Sequence, residues 1–404
     1  MPSNTTNAYI QKDLQFSAKN YHPLPIVLSR GEGIWVYDVE GQKYLDCLSA
    51  YSALSHGHVH PKILQALTTQ AQRLTLTSRA FHNDQMGNFL EKLCKLCQME
   101  MALPMNTGAE AVETAIKAAR KWGYQIKGVP PNQAHILACT NNFHGRTTTI
   151  ISFSSEPQYK EGFGPFTPGF ELIEFGNLQQ LQNAITPNTV AFLTEPIQGE
   201  GGIILPPQGF LQQAKKLCRQ HNVLFMLDEI QTGLGRTGKM FAFQHEEDAK
   251  PDVLILGKAL GGGVYPVSAV LASKEILGVF QPGDHGSTFG GNPLAAAVAS
   301  AALDVLLEEK LVENSQKMGQ YLLEQLQKIN SPHIQEIRGK GLFVAIEIKT
   351  TSGPARPFCE KLKDLGILCK ETHQQVIRLA PPLIIQKPEI KLIVEKIQTV
   401  LQEK

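Results

Sequence analysis

The sequence lacks several features that would narrow its function at once. Its 404 residues carry a formal net charge of only +1, so no excess of either sign points to nucleic acid or an anionic membrane as a partner. No apolar run approaches the roughly 18 residues of a membrane span. The first 20 residues contain neither an apolar signal core nor an Arg-rich pattern. We therefore expect a cytoplasmic protein with no membrane or nucleic-acid partner.

Cysteines are few, and nothing in their arrangement predicts a disulfide framework. The seven residues are scattered and odd in number. Cys94 and Cys97 have the spacing of redox and metal sites, but they lie in a run whose apolar residues recur at helical spacing. No second such pair or histidine cluster follows to complete a zinc site. We interpret both thiols as small apolar side chains of a helix and expect no metal.

The chain does contain a regular alternation of helical segments with short apolar runs. Uniformly apolar runs are typical of strands buried on both faces of a mainly parallel sheet, and the helices between them serve as crossovers. These runs lie at 136–139, 190–193, 223–227 and 253–256. The pattern predicts a large α/β domain over 61–306. Residues 307–404 predict a smaller α+β domain, and the segment 1–60, with short strand-like pieces such as 34–37, is assigned to it.

The strongest chemical signal is a lysine between an apolar strand and a glycine-rich loop, in the run LGKALGGG at 256–263. Ligands of open α/β sheets bind at strand ends. A lysine desolvated there has a lowered pKa and a nucleophilic amine, so Lys258 is predicted to react with an aldehyde. A surface lysine at a strand end is the plain alternative. A P-loop lysine is excluded because the P-loop pattern is absent.

A second signal is the acidic residue Asp228, which ends another fully apolar strand thirty positions before Lys258. A pyridinium nitrogen needs a carboxylate partner to stay protonated, because that charge makes the ring an electron sink. Asp228 suits this role, although an acidic helix cap would look the same. The two signals, in this order and on successive strands, are more specific than either alone.

Two further motifs offer ligand-binding groups. Thr107 and Glu110 form a capping box, and the free N–H groups at Gly108 make an anion site suited to a phosphate, although a plain capped helix explains them equally well. The segment 286–293 offers more hydroxyl and amide donors ahead of another helix. In the run NFHGR, Phe143 could stack on a ring and Arg146 could clamp a carboxylate.

The alternative reading of that last motif is a core phenylalanine and a solvated arginine. His144 between them is a candidate acid or base, but we favour a packing or polar supporting role, because Lys258 already supplies a proton acceptor.

Taken in order, these motifs resemble those of the class III (subgroup II) aminotransferase family over essentially the whole chain. The matching segments are 107–111, 143–146, 195–202, 228–233, 257–262 and 286–293. Within the family the chain is most similar to members that act on ornithine, on the segments 20–25, 49–53, 75–81 and 377–382. One departure is His144, where some members carry tryptophan, and it leaves the expected role of Phe143 intact.

The resemblance implies a fold type I homodimer that binds pyridoxal 5'-phosphate, with active sites at the subunit interface. Lys258 would hold the cofactor as a Schiff base and then shuttle a proton. Asp228 would pair with the ring nitrogen. The remaining cofactor contacts would come from Gln231 at the ring hydroxyl, Phe143 stacked on the ring, Gly108 and Ala109 at the phosphate, and Ser287 and Thr288 from the neighbouring subunit.

For the substrates, the resemblance implies ornithine as amino donor and 2-oxoglutarate as acceptor. Tyr21 would bind the α-amino group of ornithine and Arg146 its α-carboxylate, with Tyr51 lining the pocket. Glu200 would pair with Arg378, so that the distal amine of ornithine reacts instead of the α-amine. When 2-oxoglutarate enters, Glu200 would swing away and free Arg378 for the α-carboxylate.

Several alternatives stay open at this point. A sister transaminase using N-acetylornithine or 4-aminobutyrate is the nearest, although either substrate would leave Tyr21 without an α-amine to bind. A decarboxylase or aminomutase on the same fold could use the same Lys258 and Asp228. A non-enzymatic binding protein would need neither residue.

Overall fold

The structure is a computed structural model, and it describes residues 3–402. Its strands, in chain order, are β1 Leu28–Glu32, β2 Trp35–Asp38, β3 Lys43–Asp46, β4 Met101–Met105, β5 His135–Cys139, β6 Phe170–Ile173, β7 Thr189–Thr194, β8 Leu224–Asp228, β9 Val253–Leu256, β10 Ser268–Ala272, β11 Ile334–Lys340, β12 Phe343–Ile348, β13 Ile367–Leu368, β14 Lys370–Thr372 and β15 Val376–Leu379.

The helices alternate with these strands through the middle of the chain. In chain order they are α1 Asn4–Phe16, α2 Ser49–Ser52, α3 Pro61–Ala71, α4 Met86–Cys97, α5 Gly108–Trp122, α6 Thr148–Ser152, α7 Pro157–Lys160, α8 Leu178–Ala184, α9 Phe210–Gln220, α10 Lys274–Leu277, α11 Pro293–Glu308, α12 Leu311–Leu326, α13 Arg356–Asp364 and α14 Lys387–Gln402.

The central sheet has seven strands in the order β4-β10-β9-β8-β7-β5-β6. The pairs β5–β6, β5–β7, β7–β8 and β8–β9 are parallel, whereas β10 runs antiparallel to both of its neighbours. The predicted α/β class with a mainly parallel sheet is confirmed. Because β8 and β9 are parallel neighbours, with Asp228 opposite Ile255, their carboxyl ends meet at one edge.

Apolar side chains cover both faces of this sheet. Leu137 and Phe225 belong to one buried cluster, whereas Ile136 and Met226, each one position away, belong to another on the opposite face. Successive side chains of a strand point to opposite faces, so a strand covered on both sides has no polar position to alternate with. This burial explains the uniformly apolar runs.

Two four-stranded sheets accompany the central one, in the orders β1-β2-β3-β13 and β11-β12-β15-β14. In the first, β13 lies parallel to β3, with Ile367 opposite Leu45, so the beginning and the end of the chain share a sheet. The domain boundaries after residues 60 and 306 stay a prediction.

The cysteine pair lies where the sequence pattern put it, on α4, with Cys97 in the core and Cys94 packed beside it. Burial raises the pKa of the Cys97 thiol well above its ordinary value, which makes it a poor metal ligand or nucleophile. Within residues 3–402 no group of His, Cys, Asp and Glu is placed to hold a metal ion. No helix in the described part of the chain is long and apolar enough to cross a membrane.

Candidate active site

Lys258 lies just beyond the carboxyl end of β9 and begins a short 3-10 turn, Lys258–Gly261. Its φ of +42° is in the left-handed region, which is rare for a residue with a side chain and is found where a functional group is held in a set direction. Burial lowers the pKa of Lys258, and this effect exceeds the opposing effect of Glu200 and Asp228. The amine therefore loses its proton more readily than an exposed lysine.

Asp228 is the last residue of β8 and is almost fully buried. One carboxylate oxygen accepts the N–H of Ile230 at 3.0 Å, and the other lies 2.7 Å from Nδ1 of His144. Burial lowers the pKa of His144, but the hydrogen bond and charge of Asp228 outweigh it, so the net pKa is raised. The histidine therefore donates from Nδ1 and fixes the orientation of the carboxylate.

Lys258 and Asp228 face the same cavity, which has a volume of about 190 Å³. Its lining comes from the segments that follow five strands, β4, β5, β7, β8 and β9, at one edge of the central sheet, and consists of Gly108, Ala109, Phe143, His144, Gly145, Glu195, Glu200, Asp228, Ile230, Gln231 and Lys258. The tertiary structure thus brings together the amine and the carboxylate that the sequence pattern singled out.

The amino end of α5 closes one side of this cavity. Thr107 and Glu110 form the predicted capping box, with the Thr107 hydroxyl accepting the N–H of Glu110 at 3.2 Å and the Glu110 carboxylate accepting the N–H of Thr107 at 2.8 Å. The first N–H groups of a helix have no acceptor within it. At Gly108 a Cβ atom would lie 3.0 Å from Ile230 Cδ1, so a side chain there would crowd the cavity wall.

Glu200, which also lines the cavity, forms an ion pair with Arg378. Arg378 lies on β15 and is 1% exposed. Burial opposes the charge of Glu200, but Arg378 and Lys258 outweigh it and hold the pKa of Glu200 below its ordinary value. Glu200 also accepts a hydrogen bond from Gln231 Nε2 at 3.2 Å. Glycines occupy positions 199, 201 and 202, but the backbone here is held in place, because the Thr372 hydroxyl donates to the carbonyl of Glu200 and Arg338 donates to that of Gly202.

Tyr51 reaches the same region from a left-handed turn, because residues 49–52 all have positive φ angles. Each costs conformational free energy for a residue with a Cβ atom, so the surroundings must hold the turn. Asp46 does so at its start, accepting the N–H groups of Leu48 and Ser49 at 2.9 and 2.8 Å. The turn places the Tyr51 ring 4.8 Å from the Arg378 guanidinium.

Two buried polar atoms on the cavity wall have no hydrogen-bond partner within residues 3–402. They are Oε1 of Gln231 and Nε2 of His144. Buried polar atoms in native proteins are nearly always paired. The amide oxygen of Gln231 packs against Gly199, where a Cβ atom would lie 1.5 Å from it, so its contact with a ring hydroxyl stays a prediction.

Other predicted residues lie outside this lining. Tyr21 is 73% exposed and lines a neighbouring apolar groove, which it shares with Tyr51. Arg146 is exposed next to Gly145. Ser287 accepts a hydrogen bond from Asn106 at 2.9 Å, and Thr288 is exposed. Their roles, like those of the lining residues, stay predictions.

Sequence reasoning missed the importance of Glu195. Its buried carboxylate accepts the N–H of Phe143 at 3.0 Å and of Gly199 at 3.1 Å, so it joins the loop after β5 to the loop that carries Glu200. Burial raises the pKa of Glu195 to about 7. The available signal was its position at the end of the apolar strand β7, which matches that of Asp228 on β8.

Comparisons with known proteins identify the family of the chain. A family model described as class-III aminotransferase matches residues 16–401. An ornithine aminotransferase of Brevibacillus brevis is 61% identical over 396 residues, which is 98% of each chain. The structure of the ornithine aminotransferase from Toxoplasma gondii, with PLP at partial occupancy in its active site, matches with a TM-score of 0.97 at 45% identity, covering 98% of this chain and 94% of that one.

A third similar protein carries the name of a related aminotransferase. The acetylornithine aminotransferase of Elizabethkingia anophelis matches with a TM-score of 0.89 at 48% identity, and 98% of each chain is covered. The extent of these matches leaves one assignment: the chain belongs to the class III aminotransferase family.

Proposed function

We propose that this chain transfers the distal amino group of L-ornithine to a 2-oxo acid, 2-oxoglutarate, with pyridoxal 5'-phosphate as cofactor. The products would be glutamate and glutamate 5-semialdehyde, which cyclises to pyrroline-5-carboxylate. The observation that carries the proposal is the Glu200–Arg378 pair beside the cavity of Lys258. An enzyme for ordinary α-amino acids would gain nothing from covering its own carboxylate-binding arginine.

The residues of the cavity fit the cofactor. The amino end of α5 offers unpaired N–H groups and the positive end of the helix dipole to a phosphate. Gln231 Oε1 has no other partner, and Phe143 lines the wall. When bound, the cofactor supplies a protonated ring that accepts electrons from the reacting carbon.

The catalytic work of the chain falls to two residues. Asp228 would keep a negative charge at the ring nitrogen, and His144 and the N–H of Ile230 hold that carboxylate in place. Lys258 Nζ would hold the cofactor before substrate arrives and would then carry a proton to and from the reacting carbon. Its lowered pKa favours the free amine that both tasks need.

The Glu200–Arg378 ion pair, called the gate below, would decide which amine of the substrate reacts. With Glu200 on Arg378, the α-carboxylate of ornithine finds its arginine at Arg146 instead, and the distal amine points to Lys258. A dicarboxylate acceptor needs two arginines, so Glu200 must leave Arg378 when 2-oxoglutarate binds. Tyr21 and Tyr51 would complete the ornithine pocket, Tyr21 at the α-amino group.

The proposal includes a homodimer with active sites at the subunit interface. Support comes from Thr288 and Phe289, which are exposed in the single chain although Phe289 is apolar. Ser287 and Thr288 would then reach the phosphate of the neighbouring subunit. The cytoplasmic location likewise remains a proposal.

N-acetylornithine is the second candidate substrate. It is suggested by the 48% identity to the acetylornithine aminotransferase of Elizabethkingia anophelis. Its acetylated nitrogen carries no charge for Tyr21 to bind.

A substrate screen separates these possibilities. Purified enzyme with 2-oxoglutarate is given ornithine, N-acetylornithine or 4-aminobutyrate, and pyrroline-5-carboxylate is detected with o-aminobenzaldehyde while glutamate is measured in every arm. Ornithine should give both products at the highest kcat/KM. A preference for N-acetylornithine or 4-aminobutyrate would overturn the proposal and leave the family assignment standing.

A further inference from the structure

Arg146 is held by an aromatic ring. Its guanidinium carbon lies 3.7 Å from the centre of the Tyr159 ring, well within the range of a cation–π contact, and 5.7 Å from the Phe143 ring. The two rings meet edge to face at 82°, with centroids 6.1 Å apart. Arg146 therefore sits against two aromatic side chains that also support one another.

No carboxylate competes for this arginine. Within residues 3–402 Arg146 forms no ion pair with Asp or Glu, in contrast to Arg378. A ring on the face of a guanidinium leaves its N–H groups free, because they lie in the plane of the group. The same stacking restricts the rotation of a long, exposed side chain, so the fork of donors is oriented before a ligand arrives.

Tyr159 is itself well placed for this purpose. It lies on α7, which is tied down by Lys160 donating to the carbonyl of Ser152 at 3.2 Å. It lines a small hollow together with Phe143 and Glu200, and both of these also line the cavity of Lys258. Burial raises the pKa of Tyr159 and outweighs the opposing charge and hydrogen bond of Arg146, so the ring stays neutral at working pH.

We infer that Tyr159 is a positioning residue for substrate carboxylates, orienting Arg146 by stacking on its guanidinium. The inference rests on the proposed function in one respect, namely that Arg146 binds the α-carboxylate of ornithine and the distal carboxylate of 2-oxoglutarate. Because one arginine serves both substrates in turn, a change at Tyr159 must weaken both.

The test compares Tyr159→Leu, which removes the ring, with Tyr159→Phe, which keeps it. The leucine variant should raise KM for ornithine and for 2-oxoglutarate by a similar factor of about 3 to 30, as expected for a lost cation–π contact. Its kcat should change by less than about threefold, since the reacting atoms lie elsewhere. The phenylalanine variant should stay within about twofold of the parent.

A double-mutant cycle shows whether Tyr159 acts through Arg146. In an Arg146→Ala background, Tyr159→Leu should have no further effect on KM, because the group that it orients is gone. Additive effects would overturn the inference, and so would equal losses in the leucine and phenylalanine variants, which would assign the role to the hydroxyl. Should the leucine variant fail to fold, Tyr159→Met removes the ring with a smaller loss of volume and is judged in the same way.

Calorimetric titration of the holoenzyme with glutarate, a dicarboxylate that cannot react, separates this inference from the proposed function. The Kd of Tyr159→Leu for glutarate should rise by the same factor as KM, whichever amine the enzyme prefers. An unchanged Kd would reject the role of Tyr159. Absence of pyrroline-5-carboxylate in the parent enzyme would reject the proposed function alone.

Discussion

The two sides of the cavity are built in different ways. Lys258 and Asp228 follow directly from neighbouring parallel strands of the central sheet, where buried apolar side chains fix the backbone on both faces. Glu200 lies in a loop among glycines, and its partner Arg378 comes from a different sheet. The first side is anchored to the core. On the second side Arg378 is equally buried, and only its ion pair with Glu200 can be exchanged for a ligand.

The difference teaches how one cavity can serve two unlike substrates. Groups that handle the reacting bond must keep their geometry within a fraction of an ångström, and rigid strands provide this. Groups that choose between substrates must change partners, and a carboxylate whose side chain is held by an ion pair beside the cavity can do so. Changes on the anchored side should therefore abolish turnover, whereas changes on the exchangeable side should alter preference.

Lys258→Ala should have the largest effect. Loss of the amine removes both the holding group and the proton carrier, so kcat should fall at least about 10³-fold. The assay is pyrroline-5-carboxylate formation, with Lys328→Ala, an exposed lysine at the end of α12, as the control. Borohydride treatment should attach the cofactor to the parent protein at Lys258. A colourless parent protein that yields no labelled peptide would contradict the cofactor assignment.

Asp228→Asn should come next, and its neighbour provides the matched comparison. Loss of the charge should lower kcat about 10²–10³-fold, because asparagine keeps the shape of the side chain without the charge. Glu229 instead accepts hydrogen bonds from the N–H groups of Ala242 and Phe243, both at 2.9 Å. Glu229→Gln should therefore cost about 1–3 kcal/mol in urea unfolding and leave kcat within a few-fold. The reverse pattern would reject the role given to Asp228.

Glu200→Ala should change preference more than turnover. An uncovered Arg378 attracts α-carboxylates, so the ratio of kcat/KM for glutamate over ornithine should rise about 30-fold. The control is Glu347→Ala, which removes one of the two carboxylate partners of Arg338 in the same four-stranded sheet. A ratio unaltered by Glu200→Ala, or raised equally by the control, would count against the gate.

Tyr21→Ile should have a smaller effect, restricted to substrates with an α-amine. Loss of one hydrogen bond to a charged group should raise KM for ornithine about tenfold and leave that for 4-aminobutyrate nearly unchanged. Steady-state kinetics with Tyr9→Ile as an exposed control provide the measurement. Equal losses for both substrates would remove Tyr21 from recognition.

The smallest expected effect is a shift in the pH dependence of cofactor uptake, which depends on the interaction between Lys258 and Glu200. Burial lowers the pKa of Lys258 from its ordinary 10.5, so the rate of cofactor uptake by the apoprotein should rise with pH and level off below that value. Glu200 raises the pKa of Lys258, so Glu200→Gln should move the profile to lower pH. Stopped-flow absorbance follows uptake, and a shift to higher pH would show that the two groups do not interact as described.

Much of the fold was predictable because its signals are local. The apolar runs at 136–139, 190–193 and 253–256 each lie within an observed strand. A strand that is buried on both faces needs an apolar residue at every position, so the run itself marks the strand. The helix predicted after Thr107 begins at Gly108 and ends at Trp122, because a capping box is made by residues four positions apart or fewer. The run at 223–227 lacks only its first residue in β8.

The site was predictable only in part. Lys258 and Asp228 each follow an apolar strand, so their position at a sheet edge follows from the pattern. The bond between His144 and Asp228 joins residues 84 positions apart, and nothing near either residue signals it. Glu195 was missed although it ends an apolar strand as Asp228 does, because its bond to Phe143 joins residues 52 positions apart.

By itself, the sequence determined which segments form buried strands and which strand ends carry an amine or a carboxylate, because these depend on the burial and spacing of neighbouring residues. Only the tertiary structure decided how those ends meet. Strand order brings β8 beside β9, a second sheet brings Arg378 to Glu200, and the loop after β5 brings His144 to Asp228. Hydrogen bonds and ion pairs act over a few ångströms of space, whatever the distance along the chain.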